Sequence, residues 1–484
     1  MSTQLPKGEL EKLSKFQIGL HYRKNEQDPI TSVFHKDIIK STWYKPALLK
    51  LNVTSSDEIE AVYQVNSGFN YLFYTYLRWL TPAINVKKEY ANAVRIAWTH
   101  NVGSNIINNA YFKFDDDIYH TWDNVWYDIY YQFFQKEGAG KREAHNIGIG
   151  NVKFLESWQS SLPQYPINID QPWFYSMDPA LSLPIFYKHS QTRAEHRYFF
   201  KRKISDLLRV QIKSGGKWID IDDPKNYEKL LDVDPHSLIK LPELWGRYAL
   251  ITADELVSSR SKPKHVMYTR DVVSCDVKNP NNYKSTAEIE LHCTNPCLSF
   301  FWVAQNVDSS KMHNYSNYTT ETSDVYNGWD PIKTTSLLYG TDKILDDMPS
   351  DHFSLAQPRY HFPSAPSEAG YHGYSNAWDS TCYDGDVGTI FNGKNAKLEC
   401  KIDNGDLLHN MQNDSTSESV ADLIIPDRDD NYIDPENSYR GTSKASSSYV
   451  TSYSPQFSTH TRLYVMRKLK IKKQGDDVYN FSIE

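Results

Sequence analysis

The sequence predicts an all-β protein built from successive sandwich domains, with a few short helices and long loops. Three observations predict it. Aromatic residues make up 14% of the 484 residues, with 34 Tyr and 12 Trp, while Ala, Leu and Met are too sparse for a helical bundle. Apolar residues recur at every second position in short runs bounded by Pro, Gly, Asn and Asp, the period of a half-buried strand. The length exceeds what one hydrophobic core ordinarily serves, so two large domains, or three smaller ones, are expected.

The elements follow in order. Leu10, Leu13, Phe16, Ile18 and Leu20 lie among Glu and Lys at nearly helical spacing, which suits an N-terminal arm over residues 1–24 or a helix packed on its own domain. Strands are expected where Ile59, Ala61, Tyr63 and Val65 alternate, where Val94, Ile96 and Trp98 alternate, and over Asn108 to Phe114. The acidic Asp115-Asp116-Asp117 turn then breaks the pattern. Trp122, Val125, Trp126, Ile129 and Phe133 take i, i+3, i+4, i+7 spacing, which predicts a helix with Thr121 as its N-cap. Glu137 to Asn151 reads as a Gly-rich loop, Ile204 to Ile212 as a strand, Gly215-Gly216 as a turn into Trp218-Ile219, and Tyr248, Leu250 and Thr252 as a further strand.

The polar stretch Ser258 to Pro263 marks the expected boundary between a first domain, 25–258, and a second, 259–484. In the second, Val266 to Val273 and the alternating Ala287, Ile289 and Leu291 predict strands. The continuous run Leu298 to Ala304 predicts a strand buried on both faces. Asp403 to Thr459, rich in Ser, Asp, Asn and Tyr, reads as a long surface loop. Thr461 to Lys472 places Leu469 and Ile471 between Lys468, Lys470 and Lys472, an alternation suited to a sandwich edge. Two β halves of similar size suit a tandem duplication too diverged to see in sequence.

Gln171 to Phe200 predicts a buried aromatic corner. Pro172 and Pro179 hold the chain extended on either side of Trp173-Phe174-Tyr175, and Leu181, Leu183 and Ile185 fall on one side of a strand that Pro184 assigns to an edge or a bulge.

Charge and cysteine usage exclude several classes. A net charge of −7 gives no global basic field for nucleic acid. The five cysteines, Cys275, Cys293, Cys297, Cys382 and Cys400, are expected as reduced, buried thiols. No basic-then-apolar leader opens the chain and no apolar run is long enough for a membrane span, so a cytosolic protein is expected.

No catalytic, cofactor-binding or metal-ligating set emerges. Asp115-Asp116-Asp117 lacks the Gly and the partner Glu of a calcium loop. Gly138-Ala139-Gly140-Lys141 is followed by Arg142 where a phosphate loop needs Ser or Thr, and Gly148-Ile149-Gly150 lacks a third glycine. His189 and His196 lie on an extended segment, and Cys293 and Cys297 have no second ligand pair. The sequons at Asn52, Asn314, Asn317, Asn413 and Asn480 are read as chance in a cytosolic chain.

Four ordered landmarks carry a family resemblance. Asn108 to Phe114, the acidic turn and the Trp122 to Trp126 segment resemble the first-domain signature of major capsid proteins of nucleocytoplasmic large DNA viruses. Gln171 to Phe200 is similar to that family's aromatic, proline-containing segment. Thr294-Asn295-Pro296 running into Leu298 to Gln305 resembles its strand ending in W-V-x-Q. Phe353 to Gln357 with Pro358 and Tyr360 resembles its F-x-x-x-Q-P-Y segment, departing at Arg359. Asp115-Asp116-Asp117 stands where many members carry a Gly-Gly turn, and Asp403 to Thr459 looks like a family-variable insertion.

The resemblance implies a double jelly roll: two tandem eight-stranded antiparallel sandwiches side by side. It also implies a major capsid protein, a late, non-enzymatic structural protein that forms homotrimeric, pseudo-hexagonal capsomers in the icosahedral virion of a large double-stranded DNA virus. Assembly would fall in the host cytoplasm. The implied partners are other copies of the chain, minor capsid proteins and, through the arm, the inner viral membrane, with no direct nucleic acid, cofactor or metal. Two other readings share the fold class: a scaffold or minor capsid protein, and a carbohydrate-binding or carbohydrate-cleaving sandwich.

Overall fold

Two sets of antiparallel strands follow one another along the chain, each set made by the alternation seen in sequence. In a computed structural model the described residues are 43–134, 153–187, 193–221, 224–262, 264–277, 286–322, 325–381, 396–402, 456–475 and 478–483. The arm, the glycine motifs at 138–141 and 148–150, His189, Cys382, Asn413 and the predicted loop as far as residue 455 lie outside them.

The first set comprises β1 (Tyr44–Lys50), β2 (Glu60–Gln64), β3 (Tyr71–Leu80), β4 (Ile107–Phe114), β5 (Asp117–Asp123), β6 (Pro166–Asp170), β7 (Ala194–Phe200) and β8 (Glu243–Ile251). The second comprises β9 (Lys264–Val277), β10 (Thr286–Leu291), β11 (Cys297–Asn306), β12 (Ile332–Tyr339), β13 (Asp342–Pro349), β14 (Tyr371–Ser375), β15 (Ala396–Ile402) and β16 (Phe457–Gly475). In the first set the strands pair in the orders β1-β8-β3-β6 and β2-β7-β4-β5. In the second they pair as β9-β16-β11-β14 and β10-β15-β12-β13, the same two orders with every label raised by eight. Each half is a jelly roll, and the repeated order suits the tandem duplication expected from sequence.

Additional strands decorate this frame. Asn52–Ser56 extends the second sheet of the first roll beside β2, and Val478–Ile483 pairs with β16. Val94–Trp98, Leu208–Ser214 and Lys217–Ile221 form a separate three-stranded sheet, its last two strands joined by Gly215-Gly216, both at positive φ. Two helices matter below: α1 (Asn124–Phe133) directly follows β5, and α2 (Ala253–Ser261) covers most of the stretch read as an interdomain linker.

Several expectations need correction. Asp115-Asp116-Asp117 is a hairpin tip, with Asp115 at φ 51°, and β5 runs between it and the helix. Trp122 therefore belongs to a strand. The N-cap is Asp123, whose side chain accepts from Trp126 N at 2.9 Å, because Thr121 is held in the ladder opposite Tyr111. Leu181 to Ile185 is not one strand: 3₁₀ turns at Pro179–Leu181 and Ile185–Tyr187 flank a two-residue pairing of Leu183–Pro184 with β3. Asp178 caps the first turn and Pro184 has no N–H to extend a ladder. Ile204–Leu207 is a helical turn before its strand, and Thr252 caps α2 instead of ending β8. The last long strand starts at Phe457, inside the predicted loop. It is interior, lying between β9 and β11, since its apolar face is needed at the centre of the second roll.

The aromatic corner is as buried as expected. Trp173, Phe174 and Tyr175 are enclosed, with Trp173 turning through a hydrogen bond from Ser176 N, and they pack on Phe112, His120 and His196. Burial pushes His196 down to about 3, so the neutral ring shares a 2.6 Å hydrogen bond with Tyr175 OH. Cys293, Cys297 and Cys400 are buried thiols and Cys275 is half-buried. Asn314 and Asn317 are fully buried, which suits chance sequons.

Candidate functional site, the seam between the two rolls

The helix α1 wedges between the rolls. Its sequence NVWYDIYYQF is aromatic all round, and nearly every residue from Val125 to Phe133 is buried, as expected of a helix with no solvent face. One side returns to the first roll, where Tyr127 OH donates to the Asp170 carbonyl at 2.7 Å. The other side enters the second roll. Trp126 stacks on Tyr464 at 5.5 Å, and Phe133 and Phe134 meet Phe301 at 4.9 and 5.6 Å and Phe362 at 5.3 and 6.0 Å.

This contact explains the continuous apolar run of β11. Phe300, Trp302 and Ala304 point into the second roll's own core, while Leu298, Phe301 and Val303 join a core that continues from the first roll across the seam. Gly373 on β14 makes room for it. A Cβ there would lie 2.9 Å from Phe301 and 3.0 Å from Phe133.

Polar groups lock the wedge at both ends. Asp123, capping α1, also accepts from the buried Arg462 of β16, at 3.2 Å from Nε and 2.5 Å from Nη2, and Arg462 reaches Asp276 of β9 with its other edge. Burial alone would lower the guanidinium, but the two carboxylates outweigh it and hold Arg462 above its ordinary value. Burial likewise raises Asp276, yet His460 and Arg462 bring it down to about 2. At the other end, Ser364 N donates to the Phe133 carbonyl and Ser364 Oγ to the Gln132 carbonyl, so the second roll satisfies orphan acceptors of α1.

Mid-helix, the fully buried Asp128 accepts from Ser104 of the first roll at 2.7 Å and from Ser316 and Tyr318 of the second at 2.6 and 2.9 Å. A buried carboxylate with this many donors is satisfied without a metal or a lysine. Beside it, His100 of the first roll lies between Glu156 at 3.0 Å and Glu368 of the second roll at 3.3 Å. Burial pulls His100 down, but both carboxylates outweigh it and hold the ring well above the ordinary range. Lys201 is lowered by burial to about 8, with Nζ 3.5 Å from the centre of the Tyr315 ring.

These groups can hold two lobes together. Among the described residues, the motifs weighed in sequence lie away from the seam groups: Asp115 accepts from Arg193 N at the hairpin tip, Cys293 lies 2.7 Å from the Asn295 carbonyl, and His196 is in the aromatic corner. Among the described residues no group of three or more His, Cys, Asp or Glu is arranged to hold a metal ion. Sequence reading missed Asp128, Arg462, His100 and Glu368. The available signal was a lone charge inside an apolar pattern, Asp128 within VWYDIYY and Arg462 before LYVM.

Fold and seam define a two-lobed structural protein whose buried polar groups join lobe to lobe. A family profile described as major capsid protein N-terminus matches residues 32–189, and one described as large eukaryotic DNA virus major capsid protein matches residues 263–422. The major capsid protein of Invertebrate iridescent virus 6 is 23% identical over 370 residues, covering 71% of this chain and 77% of that one. In solved structures, the Faustovirus major capsid protein superposes with a TM-score of 0.63 at 6% identity, over 95% of this chain and 98% of that one. A chain of the PBCV-1 virus capsid superposes with a TM-score of 0.61 at 11% identity, over 93% and 99%. The chain belongs to the family of major capsid proteins of large eukaryotic DNA viruses, and is a structural protein of the viral capsid.

Proposed function

We propose that three copies of the chain associate into a pseudo-hexagonal capsomer, and that these capsomers tile the icosahedral shell of a large double-stranded DNA virus. The observation that carries this reading is the seam: two rolls of one topology are joined by an apolar core that runs from the first roll onto one sheet of the second, so each copy supplies two fixed lobes and three copies supply six. A cyclic trimer closes its heterologous interfaces at three, leaving outer faces for neighbouring capsomers. The domains are taken as 25–258 and 259–484, a division supported by strand pairing, since each roll's strands pair within that roll. In this reading the chain performs no catalysis and binds no cofactor or metal. It assembles in the host cytoplasm, and residues 1–24 contact minor capsid proteins or the inner membrane.

Negative-stain electron microscopy of the purified 56.1 kDa chain tests it. Six-lobed particles with a hexagonal outline are expected, and monomers at every concentration would refute it. High abundance in purified virions distinguishes a major capsid protein from a scaffold. Deleting residues 1–24 is expected to leave trimers intact while reducing incorporation into particles, and unchanged incorporation would remove the role given to the arm.

A further inference from the structure

The seam joins a strand end, an acidic cap and a helix on one roll to an arginine and an aromatic ring on the other. In the first roll β5 ends at Asp123, which caps α1, and α1 lies on the outer face of β9-β16-β11-β14. There Arg462 of β16 sits opposite Phe301 of β11 in the ladder, and Asp123 neutralises the arginine.

Each half of this device recurs once more, the helix on the second roll and the receiving face on the first, and among the described residues neither recurrence meets a partner within the chain. In the second roll β13, the counterpart of β5, leads through Ser350 to Asp351, which precedes α3, a π turn over His352–Ala356 continuing as an α-helix over Gln357–His361. Asp351 is exposed and makes no capping bond. Phe353 anchors α3 on Trp302 of its own roll at 4.9 Å, leaving Leu355 60% and Tyr360 74% exposed, with Trp378 82% exposed beside His361.

The receiving face is repeated as well, on the first roll. On β1-β8-β3-β6 the outward row Leu48, Arg247, Tyr74 lies next to the row Lys50, Trp245, Tyr76. Arg247 of β8 sits opposite Tyr74 of β3, as Arg462 of β16 sits opposite Phe301 of β11. Arg247 forms no ion pair among the described residues; its guanidinium donates to Tyr74 OH at 3.4 Å and lies 5.9 Å from that ring. Tyr44 and Leu48 at the margin are exposed.

We propose that α3 of one copy docks on the outer face of β1-β8-β3-β6 of a second copy, with Asp351 reaching Arg247 and Leu355 and Tyr360 covering Tyr74, Tyr76 and Trp245. Unlike charges face each other across this contact, exposed side chains of α3 meet half-buried rings on the sheet, and it repeats between copies the seam made within one. The donor face is on the second roll and the acceptor face on the first, so the contact is heterologous and propagates from copy to copy until a ring closes. The inference rests on the trimer reading and specifies its interface.

Charge exchange tests it on the full chain by sedimentation velocity across a concentration series. Asp351→Arg and Arg247→Asp are each expected to raise the concentration at which trimers form by roughly tenfold or more, and the double variant to recover most of it. Circular dichroism melts of the single variants, compared at concentrations where variant and parent are both monomeric, should match, because neither side chain is in a core. A second readout is oxidative cross-linking of a Leu355→Cys, Tyr76→Cys double variant: covalent dimers and trimers absent from either single variant are expected. If the parent is trimeric while the charge variants associate unchanged and the cysteine pair gives no cross-link, the α3 contact is refuted and the trimer stands. If the parent never associates, the trimer reading itself fails.

Discussion

Strands β3 and β11 hold the same place in the two rolls and both run for ten residues, yet they are buried differently. In β3 the inward Leu72, Leu77 and Trp79 are buried while Phe73, Tyr76 and Arg78 remain at least partly open. In β11 every residue but Gln305 is buried. Topology is the same in the two cases, so it does not set the difference. What differs is the neighbour: α1 of the first roll covers the outer face of β11, and among the described residues no helix does the same for β3. A sheet with a second covered face needs a continuous apolar run, and one without it needs only alternation.

Adjacent residues on β11 offer the strongest test of this contrast. Phe301→Ala opens the seam, and Phe300→Ala opens the second roll's core; each is expected to cost about 3–5 kcal/mol. The difference should appear in cooperativity. Calorimetry should show Phe301→Ala separating the unfolding of the two rolls, and a single sharp transition would argue that the seam does not couple them. Arg462→Met should cost about 3 kcal/mol, measured by urea unfolding, because it leaves the Asp123 and Asp276 carboxylates facing each other without their cation. The same substitution at half-buried Arg247 should leave the stability of an isolated chain within about 0.5 kcal/mol. Gly373→Ala is expected to cost about 1–3 kcal/mol, since its Cβ must displace Phe301 or Phe133, whereas alanine at the open turn Gly216 meets no atoms and is limited only by its positive φ.

The smallest effect concerns pH. His100 has a folded value raised above its unfolded one near 6.5, so its bridge between Glu156 and Glu368 contributes fully below that unfolded value and is lost as pH rises through the folded one. Melting temperature should therefore decline on the alkaline side, and His100→Gln should flatten that decline. Asp276 behaves in the opposite sense, its contribution falling away only as pH drops toward about 2.

The landmarks legible in sequence were those with local causes. The alternation at Ala61, Tyr63 and Val65, the apolar run of β11, the Gly215-Gly216 hairpin and the aromatic face of α1 all follow from side-chain period and turn chemistry. Errors came where a nearby competitor won: Thr121 is a good cap in isolation, but the β4–β5 ladder holds it and passes the role to Asp123. Likewise, the cationic face of β16 suggested an edge, although long lysine stems can lie along a covered strand while their amines reach water.

The sequence by itself determined an all-β chain of two domains, a buried corner at Trp173 to Tyr175, and four motifs in the order of a capsid family. Each of these is written in contiguous residues. Tertiary structure alone decided that the rolls share one strand order, that Asp128 and His100 bind across them, and that Arg462 is paired while Arg247 faces outward. Those facts join residues far apart in the chain, from 188 positions for Asp128 and Ser316 to 339 for Asp123 and Arg462. Periodicity reports which side of an element is apolar, but not which distant surface will cover it.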